Sequence, residues 1–271
     1  MNIIFSITMF ILGACVGSFL CCQARRLIYR KEKNKSTTKK KKLGKRSVCL
    51  HCGKQLKVYE NIPIFSWLFL KGKCRKCGKK IGLAEFLSEI GLALAFVGLS
   101  TTINITTTIW QEWAIFVCTI LVTTSLAFLA IYDGITGKLP TKCLIVSICL
   151  ATLLLAFKIW YEMSLFGFST QIIIFPLASV LILGGLYFFL YKVSKGKWVG
   201  DGDWILGTAV ALALFNPWLA LITLFLANLL ACLIMAPLIK KQKNKKVHFG
   251  PFMVMAYVIV ITFTPFLLSM L

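Results

Sequence analysis

The chain has 271 residues, 58% of them hydrophobic, with 31 Lys and Arg against 9 Asp and Glu and a formal net charge of +22. A mean hydropathy of +0.83 excludes an ordinary soluble domain, and because the basic residues lie between apolar runs they report membrane orientation before nucleic acid. Eleven cysteines do not make a secreted disulfide framework: only four have regular short spacing, while Cys15, Cys21, Cys22, Cys118, Cys143, Cys149 and Cys232 sit in apolar runs.

A spanning helix needs roughly 20 apolar residues, and windows of that length fall at 2–22, 83–103, 113–132, 142–161, 171–191, 218–239 and 250–271. An eighth, 204–215, is short and ends at Asn216-Pro217, as a half-length or proline-bent helix would. The expected fold is an all-α polytopic membrane protein of about eight transmembrane helices, with a small cytoplasmic lobe between the first and second. With the N-terminus outside, the cytoplasmic segments are 23–82, 133–141 with Lys142, 192–203 and 240–249, and they hold 30 of the 31 basic residues. Only Lys158 falls on the far side, whereas omitting the short span would put the run from Lys240 to Lys246 outside. The first apolar stretch lacks a basic segment before it and has Arg25-Arg26 after it, so it reads as an uncleaved helix and not a signal peptide.

Residues 30–46 (RKEKNKSTTKKKKLGKR) are basic, low in complexity and unable to bury a core, so they read as a mobile tether on the cytoplasmic face. Anionic lipid headgroups are the expected partner, at roughly 1 kcal/mol per basic residue near the surface. No aromatic-rich platform accompanies the run, so nucleic acid is not an expected partner.

Beyond the tether, CLHC (49–52) and CRKC (74–77) are two C-x-x-C knuckles separated by 21 residues, each followed at once by glycine, Gly53 or Gly78. This spacing lets Cys49, Cys52, Cys74 and Cys77 converge on one Zn²⁺, and glycine permits the tight turn after each pair. A redox C-x-x-C is the alternative, but two paired knuckles in a cytoplasmic loop favour metal. Metal binding is expected to supply much of the folding energy of this small lobe. His51 would be a fifth ligand at a four-ligand site and is left out.

Of the nine acids, Asp133, Asp201 and Asp203 stand beside apolar spans, where charge is costly and marks function by default. Asp133 follows the span 113–132 and precedes GITGKLP; Asp203 closes Gly200-Asp201-Gly202-Asp203 directly before the short apolar segment. Both are placed at one depth on one side. Two aspartates sharing one water make an acid–base pair, since two like charges at close range do not both ionise. The spacing fits two readings equally: this dyad, or helix caps and partners for nearby lysines. If they form a dyad, the dipole at the start of a helix favours an ionised Asp203 as base, and the end of a helix favours Asp133 as resting acid.

These residues resemble one family, the bacterial type IV prepilin leader peptidases that also act as N-methyltransferases, and the resemblance covers nearly the whole chain. GSFL (17–20) followed by Arg26-Leu27 is similar to the family's first-span motif, and CLHC with NIPIFSWLFLKGKCRKC (61–77) is similar to its zinc lobe. Asp133 to Pro140 meets a D-x6-P pattern, Gly200 to Asp203 meets G-x-G-D, and HFGP (248–251) resembles a late phenylalanine-glycine-proline motif. The resemblance implies Asp133 and Asp203 as catalytic residues, with Gly200, Gly202, Pro140 and Glu89 as accessory positions and Asp201 as an accessory charge.

The resemblance further implies removal of a short basic leader from pilin-like precursors, after a glycine and before a long apolar helix, at the cytoplasmic face of the bacterial membrane. Methylation of the new N-terminus from S-adenosylmethionine would follow. Asp201 and Glu85 are the expected acidic partners of the leader. On this reading 1–22 is the first transmembrane helix, 23–82 the tether and zinc lobe with the methyltransferase part, and 83–271 the peptidase domain. Cys21-Cys22-Gln23 departs from the family's usual Asn-Val-Val-like continuation, and Ala84-Glu85-Phe86-Leu87-Ser88 replaces an Arg-Tyr-Pro-containing stretch before Glu89. A peptidase without methyl transfer is therefore the alternative reading, and a non-catalytic scaffold or transporter a remote one; the internal repeats of a transporter are absent. No glycine-rich strand-to-helix turn marks a methyl-donor site, which is placed in the region from Cys49 to Glu89. His248 and the seven membrane cysteines read as packing residues, and no motif fixes an oligomeric state.

Overall fold

The computed structural model describes residues 3–35, 48–49, 52–102, 110–196, 199–241 and 248–270. The chain divides into two compact units, Asn2–Val97 and Gly98–Leu271. Among the described residues six helices are long and apolar enough to cross a membrane, and two more, Asp203–Leu214 and Gly250–Thr262, are apolar but shorter.

In the first unit, α1 (Ile3–Lys35) runs well past the expected end of the first span. Its basic continuation is made of good helix formers, and Lys and Arg have nearly the propensity of Leu. The tether expected from residue 30 therefore begins as helix, and 36–46 lies outside the described residues, as does His51. α1 packs on α3 (Leu83–Ser100) through Gly13 and Gly17, where any Cβ would collide with the Leu92 and Ser88 carbonyls. The spacing is G-x-x-x-G, which lets two helix backbones approach in lipid. Between these helices the chain makes a 3₁₀ turn (Val58–Asn61) and the short α2 (Phe65–Phe69). The segment between the knuckles is anchored by its apolar residues: Ile64 is buried with Ala14 and Ala93, and Trp67 stacks on Phe86 at 4.4 Å.

The second unit contains α4 (Trp110–Thr136), α5 (Thr141–Phe166), α6 (Gln171–Val180), α7 (Leu186–Ser194), α8 (Asp203–Leu214), α9 (Pro217–Lys241), α10 (Gly250–Thr262) and α11 (Thr264–Met270). A π-helical turn, Leu181–Gly185, joins α6 to α7 within one span. α8 is apolar on every side, as a helix enclosed by others must be, and it contacts α4, α5, α6, α7, α9 and α10. Its Ala209, Val210, Ala211 and Ala213 are completely buried, while Leu181, Phe225 and Leu233 on surrounding helices are 63–70% exposed. Apolar residues facing outward around a packed interior are what a hydrocarbon solvent selects.

Lys158, the apparent exception to the charge pattern, donates through Nζ to the Ala213 carbonyl at 2.6 Å, satisfying an acceptor in the last turn of α8. The expected continuous span 250–271 is instead two helices broken at Phe263. Pro265 has no N–H to return to the Ile261 carbonyl, and a residue before proline resists the α conformation.

Candidate functional site

Asp133 lies one turn before the end of α4 and is 5% exposed; Asp203 is the first residue of α8 and is 9% exposed. Asp133 Oδ2 accepts the Gly250 N–H at 3.1 Å, and Asp203 Oδ2 accepts the Gly200 N–H at 2.9 Å. Chain separation is bridged by the 137–140 loop: a Cβ on Gly202 would stand 2.8 Å from Leu139 Cβ. Pro140, next in line, starts α5 and accepts the Leu144 N–H at 3.1 Å. The D-x6-P segment and the G-x-G-D turn are therefore in contact, and the two carboxylates lie within reach of each other's charge.

Among the described residues neither aspartate is salt-bridged to Lys or Arg, and Asp203 reaches back to Gly200 without capping α8. Asp201 is exposed. Taken alone, each residue's own helix end favours Asp203 as base and Asp133 as acid. Asp133 also receives the first N–H of α10, so both carboxylates face a backbone donor and the asymmetry loses its basis. His248, read as packing, stands against the turn after Asp133: a Cβ on Gly137 would be 2.7 Å from its Nε2. Its place at the head of HFGP was the available signal.

In the first unit, each knuckle closes as a tight hairpin. Cys49 N–H donates to Lys54 O and Gly53 N–H to Cys49 O; Cys74 N–H donates to Lys79 O and Gly78 N–H to Cys74 O, all at 2.8–2.9 Å. Gly53 and Gly78 both have φ +66°, the left-handed region that glycine enters without steric cost. The sulfurs of Cys49, Cys52, Cys74 and Cys77 all lie within 4.8 Å of one another, and Cys49 to Cys77 measures 3.9 Å. A tetrahedron with Zn–S bonds of about 2.3 Å has sulfur edges of about 3.8 Å, so the donor set fits zinc. Backbone N–H groups of Cys77 and Lys76 hold the Cys74 thiol down to about 6, preparing a thiolate.

Glu89 occupies a position the sequence marked without explaining. Its Oε2 accepts the Ile64 N–H at 2.6 Å in a buried site. Ile64 has φ +65°, rare and strained for a β-branched residue, and its neighbours close a γ-turn from Phe65 N–H to Pro63 O at 2.6 Å. The carboxylate thus pins a strained turn that directs α2 onto α1 and α3. Glu89→Ala is expected to destabilise this unit by about 2 kcal/mol, and Glu89→Gln by less because its amide oxygen still accepts. The check is the rate of zinc release to a chelator; an unchanged rate in Glu89→Ala means that Glu89 does not hold the turn.

Residues 11–103 match the bacterial peptidase A24 N-terminal domain family. The chain is 30% identical over 216 residues to a prepilin leader peptidase/N-methyltransferase of Aeromonas hydrophila, covering 78% of this chain and 69% of that protein. A protein of the same description from Pseudomonas aeruginosa is 27% identical over 267 residues, 91% of this chain and 86% of its own. Another, from Dichelobacter nodosus, is 29% identical over 210 residues, with coverage of 78% and 68%. No solved structure matches the chain.

Proposed function

The chain belongs to the prepilin leader peptidase/N-methyltransferase family, and on that premise we propose that it is a multi-pass membrane enzyme that removes the leader from prepilin-like precursors and methylates the N-terminus so exposed. The observation that most supports the cleavage half is a pair of buried, electrostatically linked carboxylates, each bonded to one backbone N–H and to no Lys or Arg among the described residues.

Asp133 and Asp203 share one proton in this proposal. The ionised carboxylate takes a proton from water as its oxygen bonds to the scissile carbonyl carbon, while the protonated carboxyl gives its proton to the carbonyl oxygen. The resulting diol collapses: the C–N bond breaks, a proton passes to the leaving amine, and the dyad regains its single shared proton. The two groups titrate together, so neither has a private pKa. Gly200 and Gly202 let the turn approach both Asp203 and the 137–140 loop; exposed Asp201 is available to a basic leader.

Methyl transfer is assigned to the 23–82 segment with the residues of α3 that support it, and peptidase chemistry to the 83–271 segment. Zinc, held by the four cysteines, cross-links the two knuckles. S-adenosylmethionine supplies the methyl group. The catalytic side is assigned to the cytoplasm and the N-terminus to the outside of the bacterial plasma membrane, because 30 of 31 basic residues then lie inside. The basic continuation of α1 then lies against anionic headgroups.

Mass spectrometry of a co-expressed prepilin-like precursor tests the proposal. The expected product has lost its leader and gained the mass of one methyl group. A shortened product without the methyl leaves a peptidase alone, and an intact precursor refutes both halves.

A further inference from the structure

A cavity of about 470 Å³ lies wholly within the first unit, walled by α1, the zinc knuckles, α2 and the start of α3. It is within the 300–1,000 Å³ typical of small-molecule sites. Arg25 and Glu85 form an ion pair in its wall, and Cys49 and Cys74 of the metal cluster line it too. The departures from the family pattern meet here, since Cys21, Cys22 and Glu85 all face it.

The polar atoms of this cavity are incompletely used. Four buried side-chain polar atoms have no hydrogen-bond partner among the described residues, and three of them belong to residues lining this one cavity: Arg25 Nε, Trp67 Nε1 and Glu85 Oε2. An unmet buried donor or acceptor carries the full cost of its desolvation and calls for a missing partner. Here two donors and one acceptor are unmet, with a cation and an anion among them. A single ion of either sign would leave part of this set unmatched, whereas a zwitterion joined to a heteroaromatic ring matches all of it.

We propose that this cavity is the methyl-donor site, with Arg25 taking the α-carboxylate of S-adenosylmethionine, Glu85 its α-ammonium and the Trp67 indole N–H an adenine ring nitrogen. The assignment rests on the methyltransferase reading above. Binding exchanges one internal ion pair for two, and the donor's sulfonium adds one positive charge. Trp67 is fixed by its stack on Phe86 and therefore loses little freedom when the ring arrives.

The test is equilibrium binding to the full-length, zinc-loaded protein in detergent, comparing S-adenosylhomocysteine with 5′-methylthioadenosine, which lacks the amino-acid group. Wild type should prefer S-adenosylhomocysteine by tenfold or more, on the scale of one charge-assisted contact. Arg25→Gln and Glu85→Gln should each collapse that preference while leaving 5′-methylthioadenosine affinity unchanged; Trp67→Phe should weaken both ligands alike. Zinc content and melting temperature at wild-type levels establish that each variant folds. A preference that survives in Arg25→Gln and Glu85→Gln overturns the placement, and so does a precursor methylated by wild type without measurable affinity in this cavity. No binding together with no methylated product overturns the methyltransferase reading itself.

Discussion

Asparagine at Asp133 or at Asp203 is expected to abolish leader cleavage in practice, lowering the single-turnover rate between roughly 10²- and 10⁴-fold. The side chain keeps its size and still accepts a hydrogen bond, so the Gly250 and Gly200 N–H groups stay satisfied and the local fold persists. What is lost is the shared proton, because an amide neither ionises to activate water nor donates an acidic proton to the carbonyl. Since the two residues act as one unit, the double variant should be hardly slower than either single one. Mass spectrometry of the processed precursor reads the rate, with zinc content as the folding control. Cleavage that persists in both single variants would assign these carboxylates to structure.

Loss of zinc is the second large effect. Structural zinc in small Cys-rich modules binds with an apparent free energy of about 10–16 kcal/mol, much of which is folding free energy. Cys74→Ser, or treatment with a strong chelator, should release the two hairpins and open the cavity wall to which Cys49 and Cys74 contribute. Methylation of the precursor should disappear while leader removal continues, because the carboxylate pair and its backbone donors all lie between Gly98 and Leu271. The two products differ by one methyl group in the same spectrum, and zinc content is measured in parallel. Equal loss of both activities would show that the lobe also supports cleavage.

The features legible in the sequence were those that local chemistry fixes. Two C-x-x-C pairs with following glycines dictate a hairpin each, whatever surrounds them. D-x6-P and G-x-G-D place their aspartates at helix boundaries, and runs of apolar residues set the helices. What escaped depended on distant partners. Nothing near Ile64 signals a positive φ; that conformation is enforced by Glu89, which lies 25 residues away. Gly13 and Gly17 are visible as a spaced pair, but only the α3 backbone shows why they must be small. His248 reaches the turn after Asp133, and the α10 N–H group Asp133 itself, from more than a hundred residues downstream, beyond any window a local pattern covers. The break at Phe263 goes with Pro265, which a hydropathy window over the segment does not register.

Two of the packed helices are too short to cross the hydrocarbon on their own. At 1.5 Å per residue, the 12 residues of α8 and the 13 of α10 reach about 18 and 20 Å, against a hydrocarbon thickness of about 30 Å. The two are in contact, so the shortfall falls in one place and is not averaged around the protein. Such hydrophobic mismatch is met by local thinning of the bilayer or by water filling the gap. Both helices begin at or beside the backbone groups that hold the aspartates, so water filling a shortfall at those ends reaches the carboxylate pair.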